Sequence, residues 1–193
     1  TLRYRTPRPK GLSKHITAWE DLQRTIRLVR SQAAAYGLDP DQIGIMGSSA
    51  GGHLTLMGVT SSRHNSYLPI DEIDKLPCNV QWGIGIYPAY VLSNGFDGPN
   101  TNKGNDENVT MAPEFSFDLS TVPMLFIHGD AVYSAMGSVK VWEKMRSMGI
   151  QSELHTLALR NHCFQSKASP GTGSYTWLDR IVDFLRDQKR LGY

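Results

Sequence analysis

Ile43-Gly44-Ile45-Met46-Gly47-Ser48-Ser49-Ala50-Gly51-Gly52-His53 decides how this chain is read. Its first residues form a short apolar run, set off by Gly37 and the Asp39-Pro40-Asp41 breakers, and this predicts a buried strand over 43–47. A helical stretch follows over 50–60. Between them stands Gly47-Ser48-Ser49-Ala50-Gly51, a G-x-S-x-G at a strand-to-helix junction. With 18 glycines among 193 residues, such a string arises by chance in roughly one chain in seven, so the flanking strand and helix carry the weight. Glycines on both sides permit a strained turn that lifts Ser49 Oγ above the sheet edge. The amino end of the helix faces the same spot, and the amide of Ala50 is the first candidate donor to a developing oxyanion. The plainer alternative is a Ser-Gly turn that packs a helix tightly against a strand.

Outward from that turn, strands and helices alternate. Upstream, Trp19, Leu22, Ile26, Val29 and Ala33 recur at three- and four-residue steps, which predicts an amphipathic helix over 18–36 with Arg24, Arg27 and Arg30 on its solvated face. Downstream, residues 80–87 alternate apolar with small side chains and end at Pro88, a strand pattern. The continuous apolar run over 121–127 predicts a strand covered on both faces. A helix over 138–148, a strand over 151–157 and a closing helix with Trp177, Ile181, Phe184 and Leu185 complete the series. Four strands alternating with helices imply parallel pairing with right-handed crossovers, hence an α/β fold: one domain over 1–193 with an open sheet and helices on both faces. Residues 90–120 are rich in Asn and Gly and predict a long binding loop or a disordered insertion beyond the carboxyl ends of the strands, where ligands collect in such sheets.

Composition excludes several classes. A hydrophobic share of 40% with 20% charged residues is globular rather than disordered. The net charge of +2 is too small to argue for nucleic acid. No run approaches the roughly 20 apolar residues of a membrane span. Thr1-Leu2-Arg3-Tyr4-Arg5 supplies neither an initiator Met nor an apolar leader core, so the compartment is not legible there. Cys78 and Cys163 give no metal-ligand spacing and predict two buried thiols.

A serine hydroxyl needs a general base, and six histidines compete for that role. His15, His64 and His155 lie before a helix, in a polar loop and inside a strand. His53 sits one turn after Ser49 on the same helix, and His128 ends a strand where a structural hydrogen bond is expected. His162, in Arg160-Asn161-His162-Cys163-Phe164 just past the last predicted strand, opens onto the same sheet edge as Ser49. A carboxylate that orients the imidazole is expected after an intermediate strand, and Asp130 stands there. The order Ser49, Asp130, His162 is the nucleophile-acid-base order that accompanies a G-x-S-x-G elbow.

From Leu2-Arg3-Tyr4-Arg5 through Ser48-Ser49-Ala50-Gly51-Gly52-His53 to His162-Cys163-Phe164, the chain resembles the α/β-hydrolase fold, and most closely bacterial esterases of the esterase/lipase and acetylxylan or feruloyl esterase type. The resemblance implies an acyl-enzyme on Ser49, neither metal nor organic cofactor, an acetyl or feruloyl ester of a plant polysaccharide as substrate, and a secreted or periplasmic setting. Tyr87, Tyr90, Phe115 and Phe117 flank the long loop and are candidates for a substrate platform, with core packing as the alternative role. Two departures stand out. The family acid closes an H-G-x-x-D motif, and His128-Gly129-Asp130-Ala131-Val132 places Val132 there, so either Asp130 takes over or the triad lacks its acid. Family members also begin with further strands and an H-G-G loop. The expectation is therefore that this chain corresponds to the carboxyl-terminal two-thirds of the fold, with its sheet edge covered by a second copy or a missing segment. Two rival functions remain: a serine peptidase of the prolyl-oligopeptidase kind, and a catalytically impaired binding module.

Overall fold

Four strands of five or six residues, β1 (Gly44–Ser48), β2 (Trp82–Ile86), β3 (Met124–Gly129) and β4 (Ser152–Leu157), make one sheet in the order β1-β2-β3-β4. The computed structural model describes residues 1–6, 10–93, 109–129, 134–159 and 161–191. All three pairings are parallel, running from Gly44 beside Trp82 to Met124 beside Ser152. Parallel register brings every strand's carboxyl end to one edge. Ser49, Tyr87 and the segment after Leu157 consequently share that edge, as an open α/β sheet requires of its ligand site.

The side-chain period of two explains the two-faced core. In β3, Met124 and Phe126 point to one face, and Leu125 and Ile127 to the other, all fully buried. The first face packs with α1 (Ile16–Gln32), α2 (Ala50–Thr60) and α3 (Ser134–Ser147) through Leu22, Leu56, Val59, Val141 and Met145. The second packs with α4 (Trp177–Asp187) through Ile181 and Phe184. The alternation in β2 has the same cause. Ile84 and Ile86 fill the α4 side, whereas a Cβ on Gly83 would stand 2.4 Å from Val59 Cγ2 on α2. Small residues on that face therefore let α2 lie directly against the sheet.

Two expectations are corrected, and a third is described only in part. The arginine face of α1 is not solvated: Arg27 and Arg30 are buried. Arg27 Nε donates to Leu76 O at 3.0 Å and its Nη2 to Asn65 Oδ1 at 2.7 Å. Arg30 donates to Pro40 O at 3.1 Å, to Asn79 O at 2.7 Å and to Pro77 O. The helix thus clamps the loop between α2 and β2, and Pro40 of the turn before β1, by satisfying their acceptors, the condition under which a guanidinium tolerates burial. The long loop expected over 90–120 is described only at its stems. Residues 94–108 lie outside the described residues, but Val91, Leu92, Val109, Ala112 and Phe115 on its two stems are buried, and Leu92 bridges Met111. Cys163 is exposed, while Cys78 is buried as expected; both are free thiols.

At the amino end, Thr1–Thr6 form no strand. Leu2 and Tyr4 pack on the α1 side of the core, and the Arg5 backbone N–H donates to Asp21 Oδ2 at 2.7 Å. Among the described residues β1 is an edge strand, with Met46 59% exposed. No helix of the described residues is long and apolar enough to cross a membrane.

The buried arginines should matter more than the surface ones. Arg30→Met leaves carbonyls at Pro40, Pro77 and Asn79 without their donor, and should lower unfolding stability by about 2 kcal/mol or more in chemical denaturation. Arg5→Ala, whose side chain is 58% exposed and pairs with Glu20 and Asp21, should cost less than about 1 kcal/mol. Equal losses would contradict this assignment of the α1 arginines.

Candidate active site

Ser49 links β1 to α2 with φ 54° and ψ −119°, a conformation that side-chain-bearing residues avoid. Such a residue costs on the order of 1–3 kcal/mol, so neighbours must hold it. Three backbone hydrogen bonds do. The Ser49 N–H donates to Ile86 O at 2.9 Å, and Ser49 O accepts from His53 N at 3.1 Å and Ala89 N at 3.0 Å. At roughly 0.5–1.5 kcal/mol net each, they are of the size needed to offset the strain. Glycine would take this conformation freely; a serine held there indicates that the hydroxyl is wanted.

Sterics specify which glycines the elbow needs. A Cβ on Gly47 would lie 2.3 Å from Gly51 O, and one on Gly52 would lie 2.8 Å from Pro88 Cα. Both conflicts are with backbone and have no cheap relief. Gly51 itself has nothing within 4 Å. The second obligatory glycine is therefore Gly52, one position beyond the G-x-S-x-G string.

Ser49 Oγ lies 3.0 Å from His162 Nε2, in hydrogen-bond geometry. The segment bearing His162 follows β4 and crosses the end of β3, where a Cβ on Gly129 would come within 2.5 Å of the carbonyl oxygens of Leu159 and Asn161. Gly129 is thus the gap through which the loop approaches. Phe164, fully buried, fixes the loop's far side by edge-on contacts with Tyr87 and Trp177. Partial burial lowers the His162 pKa below the ordinary imidazole value, so the ring is neutral at pH 7. Its Nδ1 is buried and has no hydrogen-bond partner among the described residues. Asp130 lies outside the described residues, and so does Val132. A neutral imidazole whose hydrogen sits on Nδ1 can accept a proton through Nε2. The Ala50 amide opens α2 beside it, where helical N–H groups have no intrahelical partner.

The remaining histidines separate clearly. His128 is fully buried with Nε2 2.7 Å from Ser138 Oγ, the structural hydrogen bond expected of it. Burial, reinforced by nearby His162, pushes its pKa down to about 3. His53 is buried too, with its Nδ1 3.3 Å from Ala89 O, and desolvation brings its pKa to about 4 despite the opposing pull of Glu114.

A cavity of about 260 Å³ opens beside Ala50, lined by Tyr4, Lys14, His15, His53 and Tyr90 among others. The four aromatic candidates divide. Tyr90 lines this cavity, with Lys14 Nζ 3.9 Å above its ring. Tyr87 is buried and packs tilted by 54° against His162, ring centroids 4.7 Å apart, with its hydroxyl donating to Gln165 Oε1. It supports the imidazole instead of contacting the cavity. Phe115 and Phe117 belong to the core on the α1 side, because the 109–118 stem turns inward after its bridge to Leu92. Tyr87 and Tyr90, with φ of 39° and 59°, join Ser49 as positive-φ residues at this one sheet edge. Backbone strain concentrates where functional residues are held.

An all-parallel sheet carrying a strained strand–serine–helix corner, with an imidazole delivered from the loop after the last strand, defines the α/β-hydrolase fold. The BD-FAE family model matches residues 3–88, the segment that contains the elbow. BD-FAE is an α/β-hydrolase-type esterase family, and its match covers the elbow segment but less than half of the chain. The comparison with curated proteins found no significant match. Among solved structures, the chain is similar to an acetyl ester-xyloside bifunctional hydrolase from Caldicellulosiruptor lactoaceticus, with 22% identity and a TM-score of 0.72 over 93% of this chain and 69% of that one. A thermophilic esterase from Thermogutta terrifontis gives 23% identity and a TM-score of 0.68 over 93% and 68%. A carboxylesterase from Lactobacillus plantarum gives 19% and 0.68 over 94% and 71%. At these identities the likeness is one of fold.

The glycine assignment has a direct check. Gly47→Ala and Gly52→Ala should each destabilise the fold by more than about 2 kcal/mol, in line with forced overpacking. Gly51→Ala, early in a helix and facing open space, should leave the melting temperature unchanged or higher. A destabilised Gly51→Ala beside a tolerated Gly52→Ala would reverse the assignment.

Proposed function

We propose that the protein is a serine carboxylesterase working through an acyl-enzyme, and the observation that carries this is the 3.0 Å contact between Ser49 Oγ and His162 Nε2. His162 Nε2 takes the Ser49 proton as Oγ attacks the ester carbonyl. The carbonyl oxygen becomes an oxyanion that accepts a hydrogen bond from the Ala50 amide. As the intermediate collapses, His162 returns the proton to the departing alcohol. Water then repeats the sequence: His162 removes its proton, hydroxide attacks the acyl carbon, and Ser49 leaves with the proton restored. Asp130 is the carboxylate we assign to orienting His162.

The substrate class is an acyl ester of a plant polysaccharide, acetyl or feruloyl. Support comes from the acetyl ester-xyloside hydrolase among the structural neighbours and from the cavity beside Ala50, where Tyr90 offers an aromatic wall.

The general-base role fixes the sign of the pH dependence. Only neutral His162 accepts the proton, so kcat/KM should rise with pH through the depressed pKa and reach its plateau above it. The acid limb should therefore have its midpoint below about 6.5, the ordinary imidazole value, and burial of the ring is the reason. A midpoint well above that value, or a flat profile from pH 4 to 8, would contradict the role. Short p-nitrophenyl acyl esters should turn over faster than aminoacyl p-nitroanilides. Faster anilide cleavage would favour a peptidase instead.

A further inference from the structure

His15, His53 and Glu114 come from three separate segments, the turn before α1, the first turns of α2 and the 109–118 stem, yet their donor atoms all lie within 4.8 Å of one another. Glu114 Oε1 stands 3.3 Å from His53 Nε2 and 3.5 Å from His15 Nδ1. The His53 and Glu114 side chains are only 6% and 10% exposed. His53 Nδ1 faces the carbonyl of Ala89, which can only accept, so Nδ1 carries the hydrogen. The other nitrogen, Nε2, therefore presents a lone pair in the neutral ring. It is buried without a hydrogen-bond partner and faces a carboxylate oxygen, so two acceptors confront each other. A cation between them relieves that confrontation.

The spacing suits a particular cation. Two donors about 2.1 Å from a tetrahedral ion stand about 3.4 Å apart, close to the 3.3 and 3.5 Å from Glu114 Oε1 to the two histidines, whose own donor nitrogens lie within 4.8 Å of each other. Two imidazoles and one carboxylate are also a donor set for zinc-like ions with an open fourth position.

We propose that His15 Nδ1, His53 Nε2 and the Glu114 carboxylate bind one divalent transition-metal ion of the Zn²⁺ kind, with its fourth position open to water. The ion ties the turn before α1, the start of α2 and the loop stem together. His15 and His53 also line the cavity beside Ala50, so the ion stiffens that wall. Its role is structural and local; no step of ester hydrolysis runs through it, and the site stands whether or not the esterase assignment does.

The test titrates the full chain with Zn²⁺ by calorimetry and with Co²⁺ by visible absorption. One ion per chain is expected, with the intense visible band of tetrahedral Co²⁺ and a rise in melting temperature with added Zn²⁺. Glu114→Gln and His15→Ala, each verified as folded by circular dichroism, should weaken binding by more than about tenfold. Cys163→Ser should leave it unchanged, which separates this cluster from the exposed thiol. Absence of binding to the folded wild-type chain would overturn the proposal. Binding lost in Cys163→Ser, or of undiminished affinity in a folded Glu114→Gln or His15→Ala chain, would overturn it equally.

Discussion

Ser49 is held at φ 54° by the carbonyl of Ile86 and the amides of His53 and Ala89, and the rest of the site follows from that corner. The hydrogen bonds tie the end of β1 to the segment after β2 and to the first turn of α2, so sheet and helix both resist relaxation of the serine. Gly47 and Gly52 serve the same end by subtraction, since each removes a Cβ that would push α2 or Pro88 away. The strain is a local cost met by surrounding structure, and it places a hydroxyl where a relaxed backbone would not.

The second half of the site depends on register. Parallel pairing aligns Gly129 with Leu157, so the chain leaving β4 emerges beside the end of β3. Because Gly129 has no side chain, the following loop can lie close, and Phe164 anchors it in the α4 side of the core. Tyr87 packs against the imidazole with ring centroids 4.7 Å apart. An interaction between residues 113 positions apart is thus set by strand pairing, one missing Cβ and one buried aromatic ring.

Most of the architecture was legible because each strand carried a short-range signature: the alternation in β2 follows from a face pressed against α2, and the unbroken apolar run of β3 from burial on both faces. Helix α2 was recoverable at both ends, and Ser49 and His162 could be paired from chain order and strand position. The burial of Arg27 and Arg30 is not legible because a period of 3.6 shows which side chains share a face but not what covers it; here a loop distant in sequence supplies the carbonyls. Phe115 and Phe117 were ambiguous for a related reason, since an aromatic residue next to a polar loop packs inward or outward according to a backbone path that local sequence does not encode. The meeting of His15, His53 and Glu114 had no sequence signal at all, because a three-segment cluster has no spacing to read. Asp130 lies outside the described residues.

The most direct measurement is the site and rate of modification by a fluorophosphonate, mapped by mass spectrometry in the wild-type chain and in His162→Ala. The account predicts a single adduct on Ser49, formed at least about a hundredfold more slowly without the imidazole, the size of effect that general-base assistance supplies. An adduct elsewhere, or equal rates in the two folded chains, would contradict it.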